Sequence, residues 1–128
     1  MGAISMSVEF REMSAGLSAD ISGERDSLRN FVAIQDVPPQ KTLFISVTGS
    51  VLVSNPGIDV TLNYTEPQGI NSKILILEID FLQRPGMWPQ MLRWKTVSYV
   101  QMIHEYGQYE SVYIRNGNGL SIEVTDRS

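Results

Sequence analysis

The chain has 128 residues, 42% of them hydrophobic and 19% charged, with fourteen acidic side chains against ten basic ones, no cysteine and one histidine, His104. That length suits a domain with its own core, burying roughly two-thirds of the extended surface; the absent thiols rule out disulfides, and the lone imidazole disfavours zinc or non-haem iron within one chain, so no metal or cofactor is expected. The net charge of −4 opposes electrostatic attraction to nucleic acid and to anionic lipid.

Two patterns compete in the first forty residues. Ile4, Met6, Val8 and Phe10 alternate with polar residues like a strand, and Leu17, Ala19 and Ile21 outline a short second one over 15–22. In 27–34, Ser27 can cap a helix with Leu28, Phe31 and Val32 on one face, yet 31–34 reads equally well as strand. Val37-Pro38-Pro39 ends this less regular region in extended conformation.

From residue 41 onward apolar and polar residues alternate between breaks rich in turn formers, the pattern of consecutive antiparallel strands. In 41–53, Leu43, Ile45, Val47, Val51 and Val53 share a face with Gly49, whose missing side chain predicts a bend or bulge. Ser54-Asn55-Pro56-Gly57 predicts a type II turn with Gly57 at positive φ. Over 58–65, Ile58, Val60, Leu62 and Tyr64 face one way and Asp59, Thr61, Asn63 and Thr65 the other, so one face is buried and one wet. The segment 72–82 sets Leu75, Leu77, Ile79 and Phe81 against Ile74, Ile76, Glu78 and Asp80, as in a central strand covered on both faces at one end.

After a loop over 83–91, the β-rich run 92–106 is too long for a typical strand at about 3.3 Å per residue and is expected to bend, bulge or serve two sheets. Asn116-Gly117-Asn118-Gly119 then marks a hairpin between 109–115 and 120–125, in which Val112 and Ile114 share a buried face with Leu120, Ile122 and Val124. Together these elements predict a single all-β domain over 1–128. Its expected form is an antiparallel two-sheet sandwich of immunoglobulin-like type with seven or eight strands. The alternative is a small up-and-down β-barrel, which would enclose a cavity.

Phosphate-cradling motifs are missing. Lys41, Lys73 and Lys95 follow Gln40, Ser72 and Trp94, so there is no P-loop, and Ile122 stands where a Gly-x-Gly beginning at Gly117 would need its third glycine. Glu78 and Asp80, two apart on one strand face and so about 7 Å from each other, have the separation of an acid/base pair or a Ca²⁺ chelate, and equally that of a solvated face. His104 is the one group that ordinarily titrates near neutrality. Asp20, Ser22, Glu24 and Asp26 are oxygen-rich, but Arg25 occupies the place of the EF-hand glycine. Asn63-Tyr64-Thr65 matches a glycosylation acceptor and reads more simply as strand.

The most suggestive surface lies between Phe81 and His104, where no acidic residue occurs. Arg84, Arg93 and Lys95 are interleaved there with Met87, Trp88, Met91, Leu92 and Trp94, and Trp and Arg dominate binding hot spots because they give much contact at small entropy cost. The leading expectation is therefore a non-catalytic interaction module. It binds a protein partner, or a second copy of itself, through 83–95 or an edge strand, with Arg84, Met87, Trp88, Met91, Arg93, Trp94 and Lys95 as binding residues; nucleic acid and membrane are not expected partners. The alternatives are a small-molecule carrier built on a barrel and an acid/base enzyme using His104 with Glu78 or Asp80. Residues 1–8 lack a basic stretch followed by an apolar one, Met6 breaks the myristoylation pattern, and the densest apolar run is interrupted by Glu78 and Asp80, so a cytoplasmic protein is expected.

Overall fold

The computed structural model describes residues 27–128, which form seven strands and, among those residues, no helix. The strands are β1 (Leu28–Gln35), β2 (Leu43–Val53), β3 (Ile58–Tyr64), β4 (Ile74–Gln83), β5 (Arg93–Ile103), β6 (Ser111–Ile114) and β7 (Ser121–Asp126). They join in one mixed, nearly closed, barrel-like sheet ordered β3-β4-β6-β7-β1-β2-β5. This all-β architecture fits the barrel alternative and corrects the two-sheet immunoglobulin-like sandwich. It also departs from an all-antiparallel arrangement, because β1 with β7 and β4 with β6 pair in parallel.

The reason for one sheet rather than two is β7. Ser121, Ile122 and Glu123 pair antiparallel with β6, and Val124, Thr125 and Asp126 pair in parallel with β1. The role of serving two groups of strands thus falls to this short strand and not to the long run at 92–106. That run forms a single strand, β5, which pairs with β2 without a break from Leu43↔Ile103 to Val53↔Arg93. An equally long regular neighbour satisfies its whole backbone on one side, so nothing forces a bend.

The ambiguous stretch at 27–34 resolves as strand, with β1 held between β2 and β7. The strand patterns at 4–10 and 15–22 and the oxygen-rich Asp20, Ser22, Glu24 and Asp26 lie outside the described residues. A bulge does occur at Gly49, but on the facing strand. Arg29 pairs with Ser50 and Val32 with Thr48, leaving Asn30 and Phe31 opposite Gly49 alone. Asn30 takes the left-handed conformation, φ 61°, that such an insertion needs. The Phe31 ring then lies on Gly49 so closely that an added Cβ would come within 2.4 Å of it.

Aliphatic side chains from all seven strands fill the interior. Ala33, Ile45, Val47, Val51, Leu62, Leu75, Leu77, Ile79, Val97, Ile103, Val112, Ile114 and Ile122 are each at most 9% exposed, and burying one Val, Leu or Ile fully contributes about 1.5–3 kcal/mol. The alternation read from the sequence holds along β2, where Ile45, Val47, Val51 and Val53 are buried. It fails at two strand ends. Phe81 keeps the inward phase of β4 but is 56% exposed because the strand runs past the core. Thr65, expected to be wet, is buried just beyond β3, where its hydroxyl and the Gln68 side-chain amide both donate to the Ile76 carbonyl.

The hairpin at 116–119 forms, with Asn118 and Gly119 at positive φ. Asn116 adds a function of its own: its amide accepts from the Ile79 N–H at 2.8 Å and donates to the Ile79 carbonyl at 2.7 Å, continuing the β4–β6 ladder with a side chain. This hairpin, the 54–57 turn, the 84–92 loop and the start of β1 share one end of the barrel. The loops 36–42, 65–73 and 104–110 share the other with the C-terminus.

At that second end the Asp36 carboxylate accepts from Arg127 Nε at 2.7 Å and from the Phe44 N–H at 3.0 Å. The Arg127 hydrogen bond, followed by the Phe44 one, holds the Asp36 carboxyl below its ordinary pKa. A depressed pKa in the folded state means stability that is present above the ordinary carboxylate value and lost as pH falls through the folded one. In urea titrations, the advantage of wild type over Asp36→Asn should therefore shrink as pH drops below about 4; a difference unchanged from pH 7 to pH 3 would separate the pair from folding. For the ring contact, Gly49→Ala should cost about 1–3 kcal/mol in thermal unfolding, and much less in a Phe31→Ala background. An equal cost in both would show that Phe31 is not the obstacle.

Candidate functional site

The loop after β4 does not project freely. It folds back over the turn between β2 and β3, tied at both feet by backbone hydrogen bonds from Arg84 N to Gly57 O (2.8 Å) and from Met91 N to Ser54 O (3.0 Å). The turn beneath is closed by Ile58 N donating to Asn55 O at 3.3 Å. It is not the type II turn expected, because Gly57 is not among the glycines at positive φ; the left-handed glycine of this region is Gly86, φ 119°, at the Pro85-Gly86 corner. Glycine is needed at 57 for another reason. The Trp88 indole rests directly on it, and an added Cβ would fall 2.3 Å from the ring.

Trp88 is held from other sides as well. Its Nε1–H donates to the Arg84 carbonyl at 2.9 Å, and the Arg84 guanidinium stands 4.8 Å from the ring centroid. Arg84 also donates to the Pro56 carbonyl at 3.1 Å and lies 3.4 Å from the Asp59 carboxylate. Lys95 donates to the same Pro56 oxygen at 3.0 Å. Below them the buried Asn55 amide accepts from the Gly57 N–H and donates to Gln83 Oε1, both at 2.9 Å. The result is a small lobe in which Trp88 clamps loop to turn, neither plugging the core nor standing free.

Trp94 has a different setting. It points outward from β5, half-buried, with the Arg29 guanidinium 3.8 Å above its ring, a stacking worth about 0.5–1 kcal/mol at an exposed site. Of the seven binding residues expected from sequence, Arg84, Trp88 and Lys95 build the lobe and Trp94 lies beside it. Met87 (98% exposed), Met91 (43%) and Arg93 are presented to solvent, and Arg93 has no ion-pair partner among the described residues. Sequence reasoning left out Phe81 and Leu82, 56% and 66% exposed at the end of β4, and named Leu92, 65% exposed, in the stretch without counting it among the binding residues. Their signal was present as apolar residues running into a Pro/Gly loop, but strand alternation assigned Phe81 to the core.

The acid/base set is not assembled. Arg115 donates to Glu78 at 2.6 Å, and Asn63 donates to Asp80 at 2.6 Å. His104 follows β5 at the opposite end of the barrel from the lobe, its backbone N–H donating to Gln108 Oε1 at 2.6 Å. Among the described residues no hydrogen bond or ion pair joins His104 to either carboxylate, and no group of three His, Asp or Glu is placed to hold a metal ion. An open cleft near His104 is lined by Gln35, Tyr106, Glu110, Glu123 and Asp126, among others. Its central groups are satisfied internally, since Asp126 accepts from both Gln35 Nε2 and the Tyr106 hydroxyl.

Fold and surface together define a small all-β protein with a mixed barrel-like sheet and a tryptophan-clamped lobe at one end. Comparison of the chain with protein-family models, with curated proteins and with solved structures found no match. Among the described residues, no helix is long and apolar enough to cross a membrane.

The clamp makes a direct prediction. In a Trp94→Phe background, which leaves Trp88 as the only tryptophan, Gly57→Ala should shift the indole emission to the red and lower stability by about 1–3 kcal/mol. Unchanged emission would mean that the ring does not rest on Gly57 in solution.

Proposed function

We propose that the protein is a non-catalytic interaction module that docks a protein partner on the lobe at 81–95. One observation carries this reading. Phe81, Leu82, Met87, Met91 and Leu92 are 43–98% exposed on a loop and strand ends fixed by hydrogen bonds at both feet and by the Trp88–Gly57 contact. Large apolar side chains left in water on a pre-ordered scaffold favour association, because little conformational entropy remains to be lost on binding. Methionines add a polarisable surface that adapts to the shape of a partner.

The lobe also selects by charge. The stretch 82–103 has no acidic residue, Arg93 has no ion-pair partner among the described residues, and Arg84 is balanced by Asp59. The fitting partner presents an apolar patch with acidic groups at its rim. Such a surface on a chain of net charge −4 favours protein over nucleic acid, and we place the encounter in the cytoplasm, where a chain without cysteine needs no oxidising compartment. The carrier reading draws no support from an interior filled with aliphatic side chains, nor the enzyme reading from a histidine that has no carboxylate partner among the described residues.

A photo-crosslinking amino acid at Met87, used in an extract of cells that make the protein, should give a single adduct of fixed mass. Leu92→Asp should reduce its yield at least about tenfold, the effect of some 1.4 kcal/mol, with an unchanged circular dichroism spectrum. The same adducts formed from a crosslinker at Thr61, or yields indifferent to Leu92→Asp, would overturn the proposal.

A further inference from the structure

The ladder that joins β4 to β6 stops before β4 does. In register, Ile74 to Leu77 stand beside Ser111 to Ile114. Arg115 and Asn116 prolong it: Arg115 N donates to the Leu77 carbonyl at 2.8 Å, and the Asn116 amide serves both main-chain groups of Ile79. There the chain turns away into the hairpin, while β4 runs on from Asp80 to Gln83. Main-chain groups on a strand alternate between its two sides. Ile76 O and Arg84 N bond toward β3, to Thr65 N and Gly57 O, whereas Leu77 and Ile79 bond toward β6. The N–H and C=O of Phe81 and Gln83 therefore point to the β6 side, and among the described residues no hydrogen bond reaches them there. The 84–92 loop does not cover them, because its feet are bonded on the other side, to Gly57 and Ser54 of the β2–β3 turn. Phe81 and Leu82 are 56% and 66% exposed along this edge.

We infer that the open edge of β4 takes an extended segment of a protein partner, one that alternates basic and apolar residues and is added as a strand in line with β6. The inference rests on the lobe as a docking site and adds the form of what docks there. An extended main chain offers donors and acceptors in pairs about 7 Å apart, which is what Phe81 and Gln83 present. A helix or a compact surface would leave those groups unpaired. The edge is short, but ladders of three residues already hold β7 on either side.

Charge on the edge specifies the segment. Glu78 and Asp80 project from the same outward side of β4. Arg115, next to Glu78 in register, meets it at 2.6 Å, while Asp80 has the Asn63 amide but no cation among the described residues. A segment that continues the line of β6 sets an outward side chain beside Asp80 as Arg115 stands beside Glu78, so a Lys or Arg fits there. The next residue points inward, over the exposed Phe81 ring, and is apolar. Asp80 lies just outside the acid-free stretch 82–103, so the charge called for here is opposite to that favoured at Arg93.

The probe is an acetylated and amidated Val-Lys-Val-Lys-Val peptide, titrated into the full chain and followed by amide NMR. Shifts should centre on Phe81 and Gln83, and a Val-Glu-Val-Glu-Val peptide should bind at least about tenfold more weakly. Phe81→Pro removes the free N–H and leaves the β3 ladder untouched, since proline is tolerated on an edge whose N–H faces solvent; Phe81→Val keeps that N–H. Binding to Phe81→Pro should be at least about tenfold weaker than to Phe81→Val. Equal affinities for the two variants or for the two peptides, or shifts centred on another strand, overturn the inference. So does slow amide exchange at Phe81 and Gln83 before any peptide is added, which would mean that residues 1–26 or a second copy already occupy the edge. Failure of the edge and failure of the lobe are distinguishable: peptide binding with no adduct from Met87 supports the edge and removes the partner from the lobe, whereas an adduct with no peptide binding overturns the edge alone.

Discussion

The whole sheet hangs on six residues that must serve two neighbours at once. Without β7, the strands β1, β2 and β5 would form one ribbon and β3, β4 and β6 another, each exposing apolar residues that now meet inside. The handover between Glu123 and Val124 leaves only three residues for each ladder, and parallel pairing is the weaker kind. Other contacts reinforce both halves: Arg127 N donates to the Gln35 carbonyl at 2.8 Å and the Asp126 carboxylate accepts from Gln35 Nε2 at 2.9 Å on the parallel side, while Val124 N donates to Glu110 O at 3.0 Å and extends the antiparallel one. The buried Gln35, a polar side chain at 6% exposure, is accounted for by this role. Its amide also accepts from the Gly107 N–H, tying the 104–110 loop to the same junction.

A second device appears twice. Phe31 on Gly49 and Trp88 on Gly57 are both aromatic rings seated on a glycine that a Cβ would push away. In the first case a bulge in β1 supplies the ring, and the contact fills the gap that a glycine leaves in an inward-facing row. In the second the ring arrives from a loop, and the contact fixes the loop to the barrel. Each turns the missing side chain of a glycine into a socket, and neither uses positive φ at that glycine. The first belongs to the core and the second to the surface proposed for binding, so the same packing rule serves stability in one place and pre-organisation in the other.

These cases also show where sequence reading succeeds and where it stops. Local periodicity located β2 to β7 within a few residues, and the 116–119 hairpin followed from its Asn and Gly alone. The order of strands was not legible, because the parallel pairs β4–β6 and β1–β7 join segments that are distant in sequence and leave no periodic trace. Gly49 and Gly57 were rightly marked as special, but local rules offered only bulges and turn dihedrals as reasons, whereas the cause was a ring 18 or 31 residues away. Of the binding residues, the sequence picked out the lobe as a unit. It could not tell Trp88, which holds the lobe together, from Met87, which the lobe presents.

The barrel therefore has two surfaces that differ in kind. The lobe concentrates exposed apolar side chains and cations over a small, irregular area, the composition that the proposed docking of a protein partner calls for. The outward side of β1, β2 and β5 is regular instead, with Ser and Thr in its middle and Arg29 as its one charged residue. They meet at Trp94, which follows Leu92 and Arg93 of the lobe in sequence and stands on the outward side of β5 under Arg29.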